Sequence, residues 1–204
     1  MRNWKRGEIA LLLALAFTLL WGAWSTARQE SLARKMIRLH VIANSDSAND
    51  QALKLQVRDS VLDYTEAVLR QSKGQEDAAR RLTAALSEIE RLAAREIAAQ
   101  GYAYGVSARL ERSEFPHKDY DGFALPAGEY TALRLVIGEG AGQNWWCVVY
   151  PPLCMAAATD LRETGIAAGL AEDDMDLITE KNTGYILKFH AVELWQKLRQ
   201  SLEK

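Results

Sequence analysis

The charged loop from Phe115 to Gly122 holds the densest set of side chains that could do acid–base chemistry. Its ionisable residues are His117, Lys118, Asp119 and Asp121. A histidine beside carboxylates can work as a general acid or base, but this spacing matches no known catalytic triad or metal-binding constellation. Charged side chains in a polar loop are usually solvated, so we interpret the stretch as a surface loop. An envelope hydrolase that uses His117 is the alternative.

The two cysteines, Cys147 and Cys154, are the other residues capable of covalent chemistry. A catalytic cysteine needs an accessible thiolate with a lowered pKa, whereas Cys147 lies in an apolar run between Trp146 and Val148. In an oxidising compartment, two cysteines on either side of the Pro151–Pro152 reversal could form a disulfide. Two small buried thiols are the other possibility. A hydrolase that uses Cys147 as its nucleophile is the third.

Composition and motifs argue against an enzyme and against a nucleic-acid-binding protein. The sequence has no DTG or DSG motif, no GxSxG, no HExxH and no CxxC, so it predicts no catalytic, cofactor, metal or small-molecule site. Without residues 1–28, the chain keeps 21 of its 25 basic and 26 of its 27 acidic residues, a net charge of about −5. Such a balance disfavours a nucleic-acid partner, whose phosphates attract lysine and arginine.

The N-terminus carries the clearest localisation signal. A basic start precedes residues 9–27, which are uncharged and mostly apolar. As a helix, this segment is long enough to cross a hydrocarbon core of about 30 Å. A small-x-small pattern at its end suits signal peptidase, whereas Trp21 and Trp24 suit the interfacial belt of an anchor. We therefore predict a signal peptide or membrane anchor at residues 1–28 and an exported domain at residues 29–204.

The stretch from Tyr130 to Cys154 is predicted to form the central hairpin of a sheet. Residues Thr131–Ile137 alternate with the period of two that is typical of a strand, and Asn144–Tyr150 form the return strand after a glycine-rich loop. The return strand is apolar on both faces, with Trp145 and Trp146 on opposite sides. Both faces are therefore covered, or one face awaits a partner.

One strand and two helices are predicted before this hairpin. Residues 36–43 alternate as a first strand whose polar face carries Arg38 and His40, and we interpret His40 as an exposed sheet residue. Apolar periodicity predicts helices over residues 52–70 and 76–100.

The first of these helices has a second, narrow apolar stripe opposite its main one. The stripe consists of Leu55, Leu62 and Leu69. Because another helix follows at once, we expect the stripe to pack on that helix. A contact with another protein is the alternative.

Together these elements predict an α+β fold. We expect a mostly antiparallel sheet of four or five strands, with a helix pair inserted after the first strand and a helix that closes the chain. Further strands are predicted at residues 102–111, 123–125 and 185–189, and the closing helix at residues 190–203. The acidic run at residues 172–176 lacks the spaced ligands of a calcium loop, so we interpret it as a solvated loop or a helix start.

Two long motifs resemble one protein family. They are IRLHVIANSDSANDQALKLQVRD, from Ile37 to Asp59, and LPAGEYTALRLVIGEGAGQNWWCVVYPPLC, from Leu125 to Cys154. Both motifs, in this order after an export segment, look like stage II sporulation protein R of endospore-forming bacteria.

The resemblance implies a role as a secreted signal. Members of the family are made in the forespore and cross its membrane into the space between the two cells. There they trigger a membrane-embedded aspartic protease of the mother-cell membrane, which cleaves the precursor of sigma E. On this basis the chain is expected to be an activating ligand and not a protease.

An activating ligand needs a surface that contacts its partner, and tryptophans dominate such contacts. Our first candidate is Trp145 or Trp146, whichever is outside the core. The second is the leucine stripe of the first long helix.

Overall fold

The computed structural model describes residues 2–154 and 160–179. The described elements, in chain order, are α1 (Arg2–Ala33), β1 (Ile37–Ile42), α2 (Ala48–Leu69), α3 (Gln75–Ala99), β2 (Val106–Phe115), β3 (Lys118–Asp119), β4 (Ala124–Leu125), β5 (Gly128–Ile137), β6 (Asn144–Tyr150), α4 (Leu161–Ala167) and α5 (Glu172–Thr179). The strand predicted at residues 185–189 and the helix predicted at residues 190–203 lie outside the described residues.

Helix α1 is a candidate signal sequence or membrane anchor. Its candidate membrane span, Gly7–Ala33, has 27 residues and is therefore about 40 Å long, more than a hydrocarbon core requires. The large apolar side chains of residues 9–24, including Leu11 and Leu20, are exposed. A helix of this composition is consistent with export. The folded domain is a separate compact unit, Ala33–Glu180.

The domain is built on a mixed four-stranded sheet with the strand order β2-β5-β1-β6. Strand β1 pairs parallel with β5 and antiparallel with β6, and β2 pairs antiparallel with β5. Two of the three pairings are antiparallel, and the helix pair α2–α3 follows the first strand. The predicted α+β class is therefore confirmed.

The prediction of a central hairpin was wrong, because β1 lies between β5 and β6. Strands two places apart are about 10 Å from each other. Residues 138–143, which we call the glycine loop, span that distance over the end of β1. In doing so, the Ala141 amide donates to the Asn44 carbonyl at 3.1 Å and the Gly142 amide donates to the Ala43 carbonyl at 3.0 Å.

Helices α2 and α3 cover one face of the sheet. The Ser47 side chain caps α2 by accepting a hydrogen bond from the Asp50 amide at 3.1 Å, and Gly101, with φ at 82°, follows the end of α3. The core under these helices contains β-strand residues such as Leu39 and Leu133 and helix residues such as Val57.

Part of the opposite face of the sheet is covered by a loop that the sequence analysis interpreted as a surface loop. Residues 116–127, here called the flap, contain the short hairpin β3–β4. Tyr120 and Phe123 of the flap stack with ring centroids 4.6 Å apart, and Arg38 on the sheet beneath is fully buried. The charged side chains Lys118, Asp119 and Asp121 of the flap are solvated as predicted.

One boundary differs from prediction, and one open alternative is decided. Strand β2 begins at Val106, four residues after the predicted start at Tyr102, and continues to Phe115. The acidic run at residues 172–176 is a helix start, because α5 begins at Glu172. Three carboxylates in the first turn of α5 suit the positive end of the helix dipole.

Candidate partner-binding surface

Strand β6 lies at one end of the described sheet, where β1 is its neighbour. Trp145 lies opposite Val41, and Trp146 lies opposite His40. Because successive side chains alternate between faces, the two indole rings lie on opposite sides of the sheet. Neither ring belongs to the buried core, so the sequence interpretation that one of the two is buried and the other free does not apply.

Trp145 lies on the face covered by the helices, at the rim of the core. Its side chain is 37% exposed. The guanidinium carbon of Arg58, from α2, lies 4.4 Å from the ring centroid, and Arg58 also pairs with Asp59. The ring therefore has a cation–π partner within its own domain.

Trp146 lies on the opposite face and is half-buried. Its ring stacks on the imidazole of His40 with centroids 6.0 Å apart, and Lys118 Nζ of the flap lies 5.8 Å from the ring centroid. The Trp146 carbonyl accepts a hydrogen bond from the Tyr120 hydroxyl at 3.3 Å. The ring is thus held by His40 and Lys118, and the Trp146 backbone by Tyr120, while part of the ring surface stays accessible.

Four side chains on this face form a line across the sheet, which we call the cross-sheet row. From β2 to β6 the row consists of Arg109, Arg134, His40 and Trp146. The sequence analysis placed each of these residues in a predicted strand. It could not find the row, since only the strand order and the register bring the four together.

His40 is a half-buried member of the row, not the exposed residue that the sequence predicts. Its Nε2–H donates to Asn144 Oδ1 at 2.8 Å. Burial lowers the pKa of His40 below its ordinary value, and the positive charge of Arg134 lowers this pKa further, against the raising effects of the Asn144 bond and of Glu111. The imidazole is therefore neutral at pH 7.

The lowered pKa of His40 makes stability depend on pH. Above the ordinary value of 6.5, the imidazole is neutral in both folded and unfolded chains. As the pH falls below that value, the unfolded chain takes up the proton first, so the folded state loses stability until the pH passes the lower folded pKa. We expect the free energy of unfolding to fall more for wild type than for His40→Gln between about pH 7.5 and about pH 5. Urea denaturation at both pH values measures the difference. Equal losses in the two proteins would contradict the assignment.

Cys147 and Cys154 are joined in a disulfide, with Cα atoms 6.1 Å apart. Cys147 is buried, and Cys154 Sγ accepts a hydrogen bond from the Val148 amide at 3.0 Å. The bond closes a turn across Pro151–Pro152 directly after β6. It leaves no thiolate for nucleophilic chemistry at either position.

Removal of the disulfide should destabilise the domain. The cysteines are 7 residues apart, and closure of so short a loop is worth about 2.5 kcal/mol through the entropy of the unfolded chain. We expect Cys147→Ala/Cys154→Ala to lose roughly that free energy of unfolding in urea. Addition of a reductant should lower the stability of wild type and leave the double variant unchanged, which serves as the control. A reductant effect on the variant would point to a different cause.

The leucine stripe of α2 offers little surface. Leu62 and Leu69 lie in the core with α3 residues such as Leu82 and Ile89, and Leu55 is half-buried. The stripe packs as the favoured interpretation expects. Leu62 and Leu69 are therefore poor candidates for a partner contact.

His117 lies on the flap, where its Nε2 is 3.2 Å from Asp119 Oδ1. Asp119 is mostly exposed, at 77% of its side chain. Among residues 2–154 and 160–179, no three His, Cys, Asp or Glu side chains cluster in a way that could hold a metal ion.

Comparison with known proteins assigns the family. The family model described as stage II sporulation protein R matches residues 33–160. Stage II sporulation protein R of Bacillus subtilis (strain 168) is 36% identical over 158 residues, which are 72% of this chain and 70% of that protein. The chain belongs to the stage II sporulation protein R family. No solved structure matches it.

The region matched by the stage II sporulation protein R model contains the whole sheet. It begins at the last residue of α1 and includes β1 to β6, the flap and both cysteines. The cross-sheet row and both tryptophans therefore lie within the part of the chain that defines membership of the family.

A cavity of about 800 Å³ lies at the start of α3. Four basic residues line it, Arg34, Lys35, Lys73 and Arg112. Lys35 pairs with Asp174 at 2.5 Å and Arg112 with Glu129 at 2.7 Å. With two of these cations already paired with carboxylates, we assign no ligand to this cavity.

Proposed function

We propose that this chain is an exported signalling protein of sporulation that activates a membrane-embedded aspartic protease. The protease then cleaves the precursor of sigma E in the mother cell. The observation that carries the proposal is membership of the stage II sporulation protein R family along most of the chain. Helix α1, a candidate signal sequence or anchor, supports export across the forespore membrane into the space between the two cells.

Activation of this kind requires binding and no chemistry by the activator. A ligand shifts the equilibrium of its partner by binding the active state more tightly than the inactive one. The β6 end of the sheet supports such a role, because Trp146 keeps accessible surface there, on the face opposite the helices. Tryptophan supplies large contact areas at low entropic cost and is enriched among the residues that dominate binding energy.

The alternative, an envelope hydrolase, has less support. Cys147 would need a thiolate, and its sulfur is bonded to Cys154. His117 lies on the flap beside exposed Asp119. A thiol reagent applied to the folded, unreduced protein tests this directly. Fast labelling of one cysteine would favour the hydrolase.

Reconstitution tests the proposed function. Purified residues 29–204 are added outside cells that display the candidate protease and contain the sigma precursor, and cleavage is followed by the size of the precursor. We expect cleavage only with the folded domain and only in cells whose protease retains its catalytic aspartate. The full-length chain, produced in a neighbouring membrane, is run in parallel. Failure of both forms, with folding verified by circular dichroism, would refute the activating role.

A further inference from the structure

The cross-sheet row brings positive charge together on one face of an acidic domain. Arg109 lies directly opposite Arg134, Arg134 is next to His40, and His40 is next to Trp146. With neighbouring strands about 4.8 Å apart, the row is about 14 Å long. That length matches about four residues of an extended polypeptide.

The row is the floor of a trough. On one side the flap covers Arg38, which donates from Nη2 to the Tyr120 hydroxyl at 2.6 Å. On the other side the glycine loop covers Ile42 and Val136. Gly140 approaches so closely, with φ at 63°, that a Cβ there would lie 2.6 Å from Val136 Cγ1. Between these two covered strips, the row keeps accessible surface, including 40% of the Arg134 side chain.

The charges in the trough are only partly balanced. Like charges directly opposite each other on neighbouring strands are unfavourable, and Arg109 and Arg134 are such a pair. Arg134 Nη1 is 3.4 Å from Glu111 Oε1. Arg109 is exposed and has no hydrogen-bond or ion-pair partner among the described residues. Lys118 adds a further cation at the Trp146 end.

We propose that this trough binds an extended acidic segment of the partner protein, with carboxylates on Arg109 and Arg134 and an apolar side chain on Trp146. The inference rests on the proposed function, since the partner is the protease to be activated. Arginine binds carboxylates through paired hydrogen bonds. A polypeptide strand can enter a channel between the flap and the glycine loop, whereas the flat surface of a bilayer cannot. A protein segment is therefore favoured over anionic lipid.

The variant Arg109→Glu tests the proposal in the full-length chain. It replaces the unfavourable arginine pair by a favourable cross-strand pair with Arg134, so the domain should be at least as stable as wild type. We expect the concentration needed for half-maximal precursor cleavage to rise about tenfold or more. Arg109→Lys, which keeps the charge, should retain most of the activity.

Arg70→Glu is the matched control. It reverses the same charge at the residue that follows α2, beyond the other face of the sheet, at a side chain that is 74% exposed. We expect it to activate like wild type. Wild-type activity in Arg109→Glu, or an equal loss in Arg70→Glu, would overturn the trough proposal while the proposed function stands.

A binding measurement separates the sources of negative charge and does not depend on activation. Wild type should bind a poly-glutamate peptide at low salt, and Arg109→Glu should bind it about tenfold more weakly. Binding to phosphatidylglycerol vesicles, measured alongside, should be equal in the two proteins. Loss of vesicle binding without loss of peptide binding would overturn the proposal in favour of a membrane surface. Absence of precursor cleavage with the wild-type chain would refute the proposed function. The comparison of poly-glutamate binding by wild type and Arg109→Glu would still test whether the trough binds acidic peptides.

Discussion

A full-length chain with Trp146→Ala should fold normally and lose activation of precursor cleavage, with a rise of about 30- to 1000-fold in the concentration required. Trp146 ends the cross-sheet row, and its ring is fixed by stacking on His40 and by Lys118. A ring held in place before binding loses little entropy when a partner covers it. Because the ring is only half-buried, we expect the free energy of unfolding to fall by about 1 kcal/mol.

The neighbouring residue supplies the control for this prediction. Trp145→Ala makes the same chemical change one position away, on the opposite face of β6. It removes the contact with Arg58, which is worth about 0.5–1 kcal/mol at an accessible site. We expect activation close to that of wild type. Loss of activation in Trp145→Ala with retention in Trp146→Ala would place the docking surface on the helix side and contradict the assignment.

Local pattern predicted most of the elements but not their arrangement. Alternation located β1 and β5, and apolar periodicity located α2 and α3 to within a few residues, because those signals are carried by consecutive side chains. The same signals do not show which strand lies next to β5 or β6 in the sheet. A glycine-rich loop between two strands is compatible with a hairpin and also with a connection over a third strand, and nothing in residues 138–143 distinguishes them.

The candidate site was predictable in residue type only. Two adjacent tryptophans on a strand indicate a contact surface whatever the topology. The partnership of Arg109 with Arg134 depends on register between β2 and β5, which no local signal contains. Arg38 was placed on a polar face by alternation, but the flap that buries it has no periodicity. Tyr120 and Phe123 stand among turn-forming residues and give no sign that they cover the sheet.

The second prediction with a large expected effect concerns the buried residue Arg38 and the free energy of unfolding. Its guanidinium lies 4.2 Å from the ring centroid of Phe115 and 5.0 Å from that of Tyr130, and the residue is 0% exposed. Arg38→Ala would leave a cavity between the sheet and the flap. By analogy with truncation of other long buried side chains, we expect a loss of about 3 kcal/mol in the free energy of unfolding, measured by urea denaturation.

Arg38→Met should behave differently, which separates packing from charge. The Nε and Nη1 atoms of Arg38 have no hydrogen-bond partner among the described residues. The buried charge has lost its water, and the contacts that replace this water are those with the aromatic rings and the hydrogen bond to Tyr120. Removal of a buried charge that lacks an ionic partner, with its volume mostly retained, is often neutral or stabilising. We therefore expect Arg38→Met to be at least as stable as wild type, because methionine fills most of the space and contacts aromatic rings well. A loss as large as that of Arg38→Ala would mean that the guanidinium itself, through its cation–π contacts and the Tyr120 bond, holds the flap on the sheet.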